Sequence, residues 1–295
     1  MDINTKLLLA ETIYWGSFLV FPFLVLLYYK RYKIHRAIMI ILLLLSISFI
    51  WSRFIETQII TVQETNIEAG FNANIALIAD SHLGVYKSKK FLERVIEKIN
   101  QQNIDYVFIA GDFTYEPNPN ELDQLFSALK NINKPVYVVL GNHDVQRPGQ
   151  PIREDLVKVL KNNNLIILNN DIMVLNDFVL VGLGDAWVEE DNVSILENIN
   201  TDKSVVVLTH NPDTTSKYTN TNADITLTGH THCGQIRIPF LYKYVIPTEG
   251  NFDKGLTNEP FTKLFITCGL GEVGLPMRLF NPPVIDILKF EKKSE

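Results

Sequence analysis

Two kinds of apolar pattern divide the chain. Thr12 to Tyr29 is a run interrupted only by Gly16, Ser17 and Pro22 and extended upstream by Leu7 to Ala10; Ala37 to Trp51 is a second, shorter run, almost wholly Ile, Leu, Met and Phe. A spanning helix requires about 20 apolar residues, so the pattern predicts two transmembrane helices, at about 8–29 and 36–52. From about Asn72 onward, strand-length apolar runs alternate with amphipathic stretches, the signature of an α/β domain. Strands are predicted at Ile75 to Ala79, Tyr106 to Ala110, Val136 to Leu140, Val179 to Gly182, Val205 to Leu208, Asp224 to Leu227, Leu264 to Thr267 and Val284 to Phe290. Ser88 to Gln101 reads as a helix, because Phe91, Leu92, Val95, Ile96 and Ile99 fall on one face. Asn120 to Leu129 repeats the pattern with Leu122, Leu125, Phe126 and Leu129 inward and Pro119 at the first-turn position. Asn176-Asp177, between two apolar runs, marks a turn.

The organisation that follows is a membrane anchor over residues 1–53, a linker over 54–71 and an α/β domain over 72–295. Two apolar runs flanking a basic turn argue against a cleaved signal peptide, which has one apolar stretch behind a basic N-terminus. That turn carries Lys30, Arg31, Lys33 and Arg36, against Lys6 on one flank and Arg53 on the other. The positive-inside rule therefore places the turn in the cytoplasm and everything after Arg53 on the extracytoplasmic side; a hairpin that does not span would leave the domain at the cytoplasmic face. Arg36 and Arg53 are positioned to snorkel at the ends of the second span.

Composition narrows the function. The 295 residues carry a net charge of −6, and no basic track suited to a phosphate backbone is visible, so nucleic acid is not an expected partner. Two cysteines, Cys233 and Cys268, are too few for a disulfide framework and fit no zinc knuckle; they pair only if the fold brings them together.

Five of the six histidines stand just after a predicted strand, where ligands of α/β sheets collect. Asp80-Ser81-His82 follows the first strand, and in an extended segment residues i and i+2 point the same way, so both side chains can hold one ion. Gly111-Asp112 follows the second, with a carboxylate able to bridge two ions. Gly141-Asn142-His143-Asp144 follows the third: Asn142 offers a carbonyl, and His143, held by Asp144, is placed to act on substrate. Thr209-His210 adds one imidazole, and Gly229-His230-Thr231-His232 adds two at alternate spacing. Arg237 and Arg278 are candidates for substrate phosphate or for salt bridges; Met173 and Met277 read as core; Leu241 to Ile246 reads as a loop against the bilayer or a packed turn.

That order of motifs resembles the calcineurin-like metallophosphoesterase superfamily over residues 74–290. Gly234 to Pro239, Phe252 to Leu256 and Gly274 to Arg278 further resemble a bacterial branch of small membrane-bound members, which includes cell-envelope phosphodiesterases and UDP-2,3-diacylglucosamine pyrophosphatases of lipid A synthesis. The resemblance implies an α/β metallophosphoesterase β-sandwich of mixed sheets flanked by helices, and a hydrolase with two divalent ions, Mn, Fe or Zn. It implies that Asp80, His82 and His232 hold one ion, that Asp112 bridges, and that Asn142, His210 and His230 hold the other. His143 and Asp144 are the implied catalytic residues, acting on a phosphoester or nucleotide-lipid substrate at the bilayer. Cys233 departs from the Gly common in that branch and puts a soft thiol beside the metals. The lipid A precursor is made in the cytoplasm, so a domain outside points to an extracytoplasmic phosphodiester instead. A non-catalytic metal- or phosphate-binding scaffold is the alternative, though every expected ligand is present.

The charge bias predicts that a cysteine engineered near Gly70 reacts with a membrane-impermeant thiol reagent in intact cells. Labelling only after the membrane is opened would reverse the topology.

Overall fold

Alternating burial along the strands sets the architecture. In the computed structural model, which describes residues 3–145, 151–219, 221–250 and 252–292, Ile75 and Leu77 pack into one core while Ala76 and Ile78 pack into another. Phe108 and Ala110 separate from Val107 and Ile109 in the same way. A strand that is apolar on both faces must be covered on both, and two layers cover these.

In chain order the strands are β1 (Thr61–Ala69), β2 (Ala73–Ile78), β3 (Leu83–Gly84), β4 (Tyr106–Ala110), β5 (Thr114–Tyr115), β6 (Val136–Val139), β7 (Ile166–Ile167), β8 (Asp171–Val174), β9 (Phe178–Gly182), β10 (Ser204–Leu208), β11 (Ile225–Thr228), β12 (Gly255–Glu259), β13 (Thr262–Ile266) and β14 (Val284–Lys292). One sheet has the order β1-β14-β2-β4-β6-β7 and the other β12-β13-β11-β10-β9-β8, with β3 and β5 paired apart. Both main sheets are mixed. Between them lies a core in which Phe71 packs on Phe178 and Phe290, ring centroids 4.5 and 4.8 Å away. The helices are α1 (Ile3–Gly16), α2 (Val20–Lys30), α3 (Arg36–Ile50), α4 (Lys89–Asn100), α5 (Leu122–Phe126), α6 (Asn142–Val145) and α7 (Arg153–Asn162). The buried faces of α4, α5 and α7 close the outer side of the first sheet.

Strands β2, β4 and β6 run parallel, as do β9, β10, β11 and β13. Their carboxyl ends therefore bring the loops after β2, β4, β6, β10 and β11 to one edge of the sandwich, and these loops carry the five motifs. The turn at Asn176-Asp177 joins β8 to β9, with Val174 opposite Val179.

The structure corrects four expectations. The helix over 120–129 is broken: a 3₁₀ turn at Pro119–Glu121 leads into α5, and a second 3₁₀ turn takes up Leu129–Asn131. The stretch 54–71 is not a free linker, because β1 lies within it and pairs along its whole length with β14. The second apolar helix also continues past 52 to Gln58. Arg53 does not snorkel; it is buried, donates from Nε to Ser17 Oγ at 2.9 Å and packs against the Tyr14 and Phe54 rings.

Among the described residues two helices, Asn4–Lys33 and Arg36–Gln58, are long and apolar enough to cross a membrane, with mean hydropathy 1.6 and 2.3. The end of the second is built into the domain. Ser52 O accepts from Arg278 N at 2.9 Å, Glu56 Oε1 accepts from Asn281 N at 2.5 Å, and Thr57 O accepts from the buried Lys87 Nζ.

Asp286 sits on β14 between β1 and β2 with Oδ2 unpartnered. Burial pushes its carboxyl up to about 6, against the pull of Thr267 and Lys254. The folded chain therefore holds a proton that the unfolded chain has already released, and the stability this group contributes is complete below about pH 4 and lost as pH rises through about 6. Asp286→Asn is expected to raise stability at pH 7 by up to about 3 kcal/mol and to be near neutral at pH 4. Unfolding of the detergent-solubilised chain at the two pH values checks this; an equal effect at both would show that the carboxyl is not the cause.

Candidate metal centre

The five loops converge through their own backbones. Asp80 N donates to Gly111 O at 2.9 Å, His82 N to Asp112 O at 3.1 Å, His143 N to Asp112 Oδ1 at 2.9 Å, and His230 N reaches both Asp80 carboxylate oxygens at 3.1 to 3.2 Å. Close approach explains the glycines at this crossing: at Gly111, with φ of 80°, a Cβ would lie 2.9 Å from His210 Nδ1.

Two groups of ligand-type side chains face each other. Asp80, His82 and His232 form one, and Asp112, His210 and His230 form the other; within each the donor atoms lie within 4.8 Å of one another, and all six residues are buried. Asp112 Oδ2 stands 3.2 Å from His210 Nε2 and 3.6 Å from His82 Nε2, so one oxygen addresses both groups. Asn142 Oδ1 is buried without a hydrogen-bond partner in the same loop as His143. The His143 ring stands edge-on to His82, with centroids 5.0 Å apart.

Backbone carbonyls fix two imidazoles. His82 Nδ1 lies 3.1 Å from Thr114 O and His210 Nδ1 lies 2.7 Å from Ala110 O. A carbonyl only accepts, so each Nδ1 carries a proton and each Nε2 is turned inward. His82 Nε2 is 3.0 Å from His232 Nε2, and His210 Nε2 is 3.1 Å from His230 Nδ1, each pair close enough to share one proton or one cation. His230 Nε2 and His232 Nδ1 are buried and unpartnered.

The electrostatics carry the same message. Burial pushes Asp80 up to about 7 and His82 down to about 3, and drives His230 and His232 well below the ordinary histidine value. Burial acts against charge on Asp112 and His210 too, but their mutual attraction overrides it: the carboxyl falls well below its usual range and the imidazole rises well above. Four imidazoles and two carboxylates in a dry pocket, with ligand atoms converging, are a donor set suited to cations of the Mn, Fe or Zn kind.

The structure departs from the sequence reading at several points. Asp80 and His82 are not brought together by extended alternation, nor are His230 and His232. Their φ values are 52°, 45°, 67° and 46°, and Asp112 stands at 54°. The motifs are left-handed turns, a backbone state that costs non-glycine residues energy and clusters at functional sites. Asp144 does not hold the His143 ring; its buried carboxylate accepts from Gly141 N, Thr114 N and Thr114 Oγ1 at 3.1 to 3.2 Å, tying the loop to β5. Cys233 is no free thiol: it is joined to Cys268 in a disulfide. Arg278 is fully buried and donates to Gly271, Cys268 and Asn281 carbonyls, so it braces a loop instead of facing phosphate. Arg237 pairs with Asp253 at 2.5 Å. Met173 packs against the inter-sheet core, and Met277 is half-buried.

Three residues escaped the sequence reading. Asp185, after β9, is buried with Oδ2 unpartnered, its carboxyl pushed up to about 6 by burial. Gly184-Asp185 after an apolar strand is the same signal that marks Gly111-Asp112. Trp187 sets its ring 4.7 Å from that of His230. Asn281 Nδ2 donates to His232 O at 2.7 Å, and nothing in its sequence neighbourhood announces the contact.

A family profile described as calcineurin-like phosphoesterase matches residues 73–234. Over 248 residues the chain is 31% identical to an uncharacterised metallophosphoesterase of Campylobacter jejuni, covering 81% of this chain and 64% of that protein. It thus spans less than two thirds of the length of that relative. It is 26% identical over 231 residues to phosphodiesterase YaeI of Escherichia coli, covering 73% and 81%. It is 24% identical over 272 residues to UDP-2,3-diacylglucosamine pyrophosphatase LpxG of Chlamydia muridarum, covering 73% and 82%.

If Asp112 addresses both ion positions, Asp112→Ala is expected to strip the purified full-length protein of bound transition metal, read by elemental analysis. His143→Ala, which removes no member of either group, is expected to retain it. Full metal content in the Asp112 variant would contradict the geometry.

Proposed function

Because the chain belongs to the calcineurin-like phosphoesterase family, we propose that it is a membrane-anchored, dinuclear metal-dependent hydrolase of a phosphodiester or pyrophosphate, acting on a lipid-linked substrate at the extracytoplasmic face. The observation that carries this reading is the facing pair of ligand groups with Asp112 Oδ2 between them. Asp80, His82 and His232 would hold one ion, His210, His230 and Asn142 the other, and Asp112 both. The chemistry such a pair supplies is Lewis acidity toward phosphoryl oxygens and activation of water for in-line attack.

The remaining work falls to the chain's own backbone and side-chain groups. Thr114 O and Ala110 O keep His82 and His210 in the tautomer that turns Nε2 inward. His143 lies beside both groups without belonging to either, half-buried, with its backbone fixed on Asp112. From there it donates a hydrogen bond or proton to the leaving oxygen. Asp144 holds the shape of that loop through Gly141 and Thr114.

Two observations support the extracytoplasmic side. Basic residues gather in the turn between the apolar helices. The Cys233–Cys268 disulfide belongs with an oxidising compartment, since cytosolic thiols are kept reduced. Likeness to LpxG favours a second reading, cleavage of UDP-2,3-diacylglucosamine at the cytoplasmic face.

Assay of the metal-loaded, detergent-solubilised full chain separates these. Hydrolysis of bis-p-nitrophenyl phosphate is expected, with His143→Ala reducing it about 10²- to 10⁴-fold, and single-stranded DNA is expected to stay intact. Release of UMP from the nucleotide lipid would select the second reading. A metal-replete protein inert toward every phosphoester would leave only a binding scaffold.

A further inference from the structure

Beside the metal centre runs an apolar groove of about 520 Å³. Its walls are Ile236, Ile238, Leu241, Val245, Val273 and Leu275, and His232 lines it at a buried end. Apart from His232 at that end, the polar side chains along it are already spent. Gln235 bonds Leu275 O and Val273 N at 2.7 and 3.0 Å, and Tyr242 Oη donates to Asp253 at 2.9 Å. A sugar or a nucleobase would find nothing there to replace its water hydrogen bonds, so the groove selects an apolar ligand.

The outer lip indicates where that ligand comes from. Ile238, Leu241, Val245 and Leu275 are exposed there, next to Phe240 and Tyr244, which are 88% and 87% exposed. A contiguous apolar patch of this kind marks an interaction surface. The lip also adjoins the anchor: Gly274 O accepts from Tyr86 Oη at 2.7 Å, and the Tyr86 ring stacks on Tyr14 of α1 at 6.2 Å. A chain leaving a bilayer that contains α1 would enter the groove at its exposed end and finish beside His232.

We propose that the groove holds one acyl chain of a membrane lipid and so delivers that lipid's phosphate to the metal centre. The proposal rests on the hydrolase reading for what happens to the phosphate, but not for occupancy of the groove. A phospholipid is favoured over a protein segment because the groove lip joins the anchor through Tyr86 and Tyr14, and because with the proposed ions held its inner end would attract an anion while the rest is apolar.

The test uses the full chain in nanodiscs of phosphatidylethanolamine and phosphatidylglycerol doped with a phospholipid bearing a diazirine near the acyl terminus. After irradiation, mass spectrometry is expected to find label in peptides covering 236–245 and 273–275 as well as in the two apolar helices. Leu241→Asp with Val245→Asp is expected to abolish the groove label and leave the helix label. Label confined to the helices would overturn the proposal, and so would groove label that survives both substitutions, since the loop would then merely lie on the bilayer. Turnover of bis-p-nitrophenyl phosphate in the same discs keeps the two ideas apart: turnover without groove label sinks the groove alone, whereas groove label without turnover supports the groove and sinks the hydrolase.

Discussion

The molecule is organised around a convergence of buried donor atoms, six ligand-type side chains from separate loops facing one another with His230 Nε2, His232 Nδ1 and Asn142 Oδ1 left without a partner. His82 and His210 each spend the Nδ1 proton on a backbone carbonyl, so their Nε2 atoms face His232, His230 and the Asp112 carboxylate at 3.0 to 3.6 Å. In a dry interior, unpaired acceptors at that spacing cost several kcal/mol unless a proton or a cation lies between them. A proton serves between His210 and Asp112, whose attraction keeps the imidazole charged, but burial drives His82, His230 and His232 away from the charged form. The two divalent cations we propose would answer these donors at once, and the strained left-handed turns at Asp80, His82, Asp112, His230 and His232 would then be the backbone cost of aiming them.

The scaffold makes that cost sustainable. Each turn is anchored at the carboxyl end of a strand that is buried on both faces and held in a parallel register, so the loops begin from fixed points. The Cys233–Cys268 link then fixes the loop that carries His230 and His232 to the end of β13. Shifting one loop without the others would break the amide contacts to Asp80 and Asp112 that lock them together.

The central strands and α4 were legible because burial on both faces of a sheet, or on one face of a helix, writes itself as a run or a 3.6-residue period. Strand β1 was not, because Thr61 to Ala69 is mostly polar and is a strand only through its pairing with β14. The short β7 and β12 carry too few apolar residues to signal, and α5 was overextended because its apolar spacing continues through a 3₁₀ break at Leu129. The donor atoms of the site were legible from residue type and position after strands. Their geometry was not: left-handed turns leave no periodic trace, and the roles of Asp144, Arg278 and Asn281 depend on partners that are remote in sequence or on backbone groups that no side-chain pattern reveals.

The anchor is more than a tether. Glu56, at the end of the second apolar helix, accepts from Asn281 N, and the amide of the same Asn281 donates to the carbonyl of His232. Ser52 O takes the backbone N–H of Arg278, whose guanidinium gathers the carbonyls of Cys268, Gly271 and Asn281 into one loop. Gly271 N in turn donates to Asp80 O at 2.6 Å. The helix that enters the bilayer and the residues that face the ions thus share one hydrogen-bonded loop, with no flexible segment between them. A flexible linker would let the centre sample all orientations and would require substrate to leave the membrane. The bonded joint instead fixes the groove mouth relative to the apolar helices, which suits the lipid-linked substrate we propose.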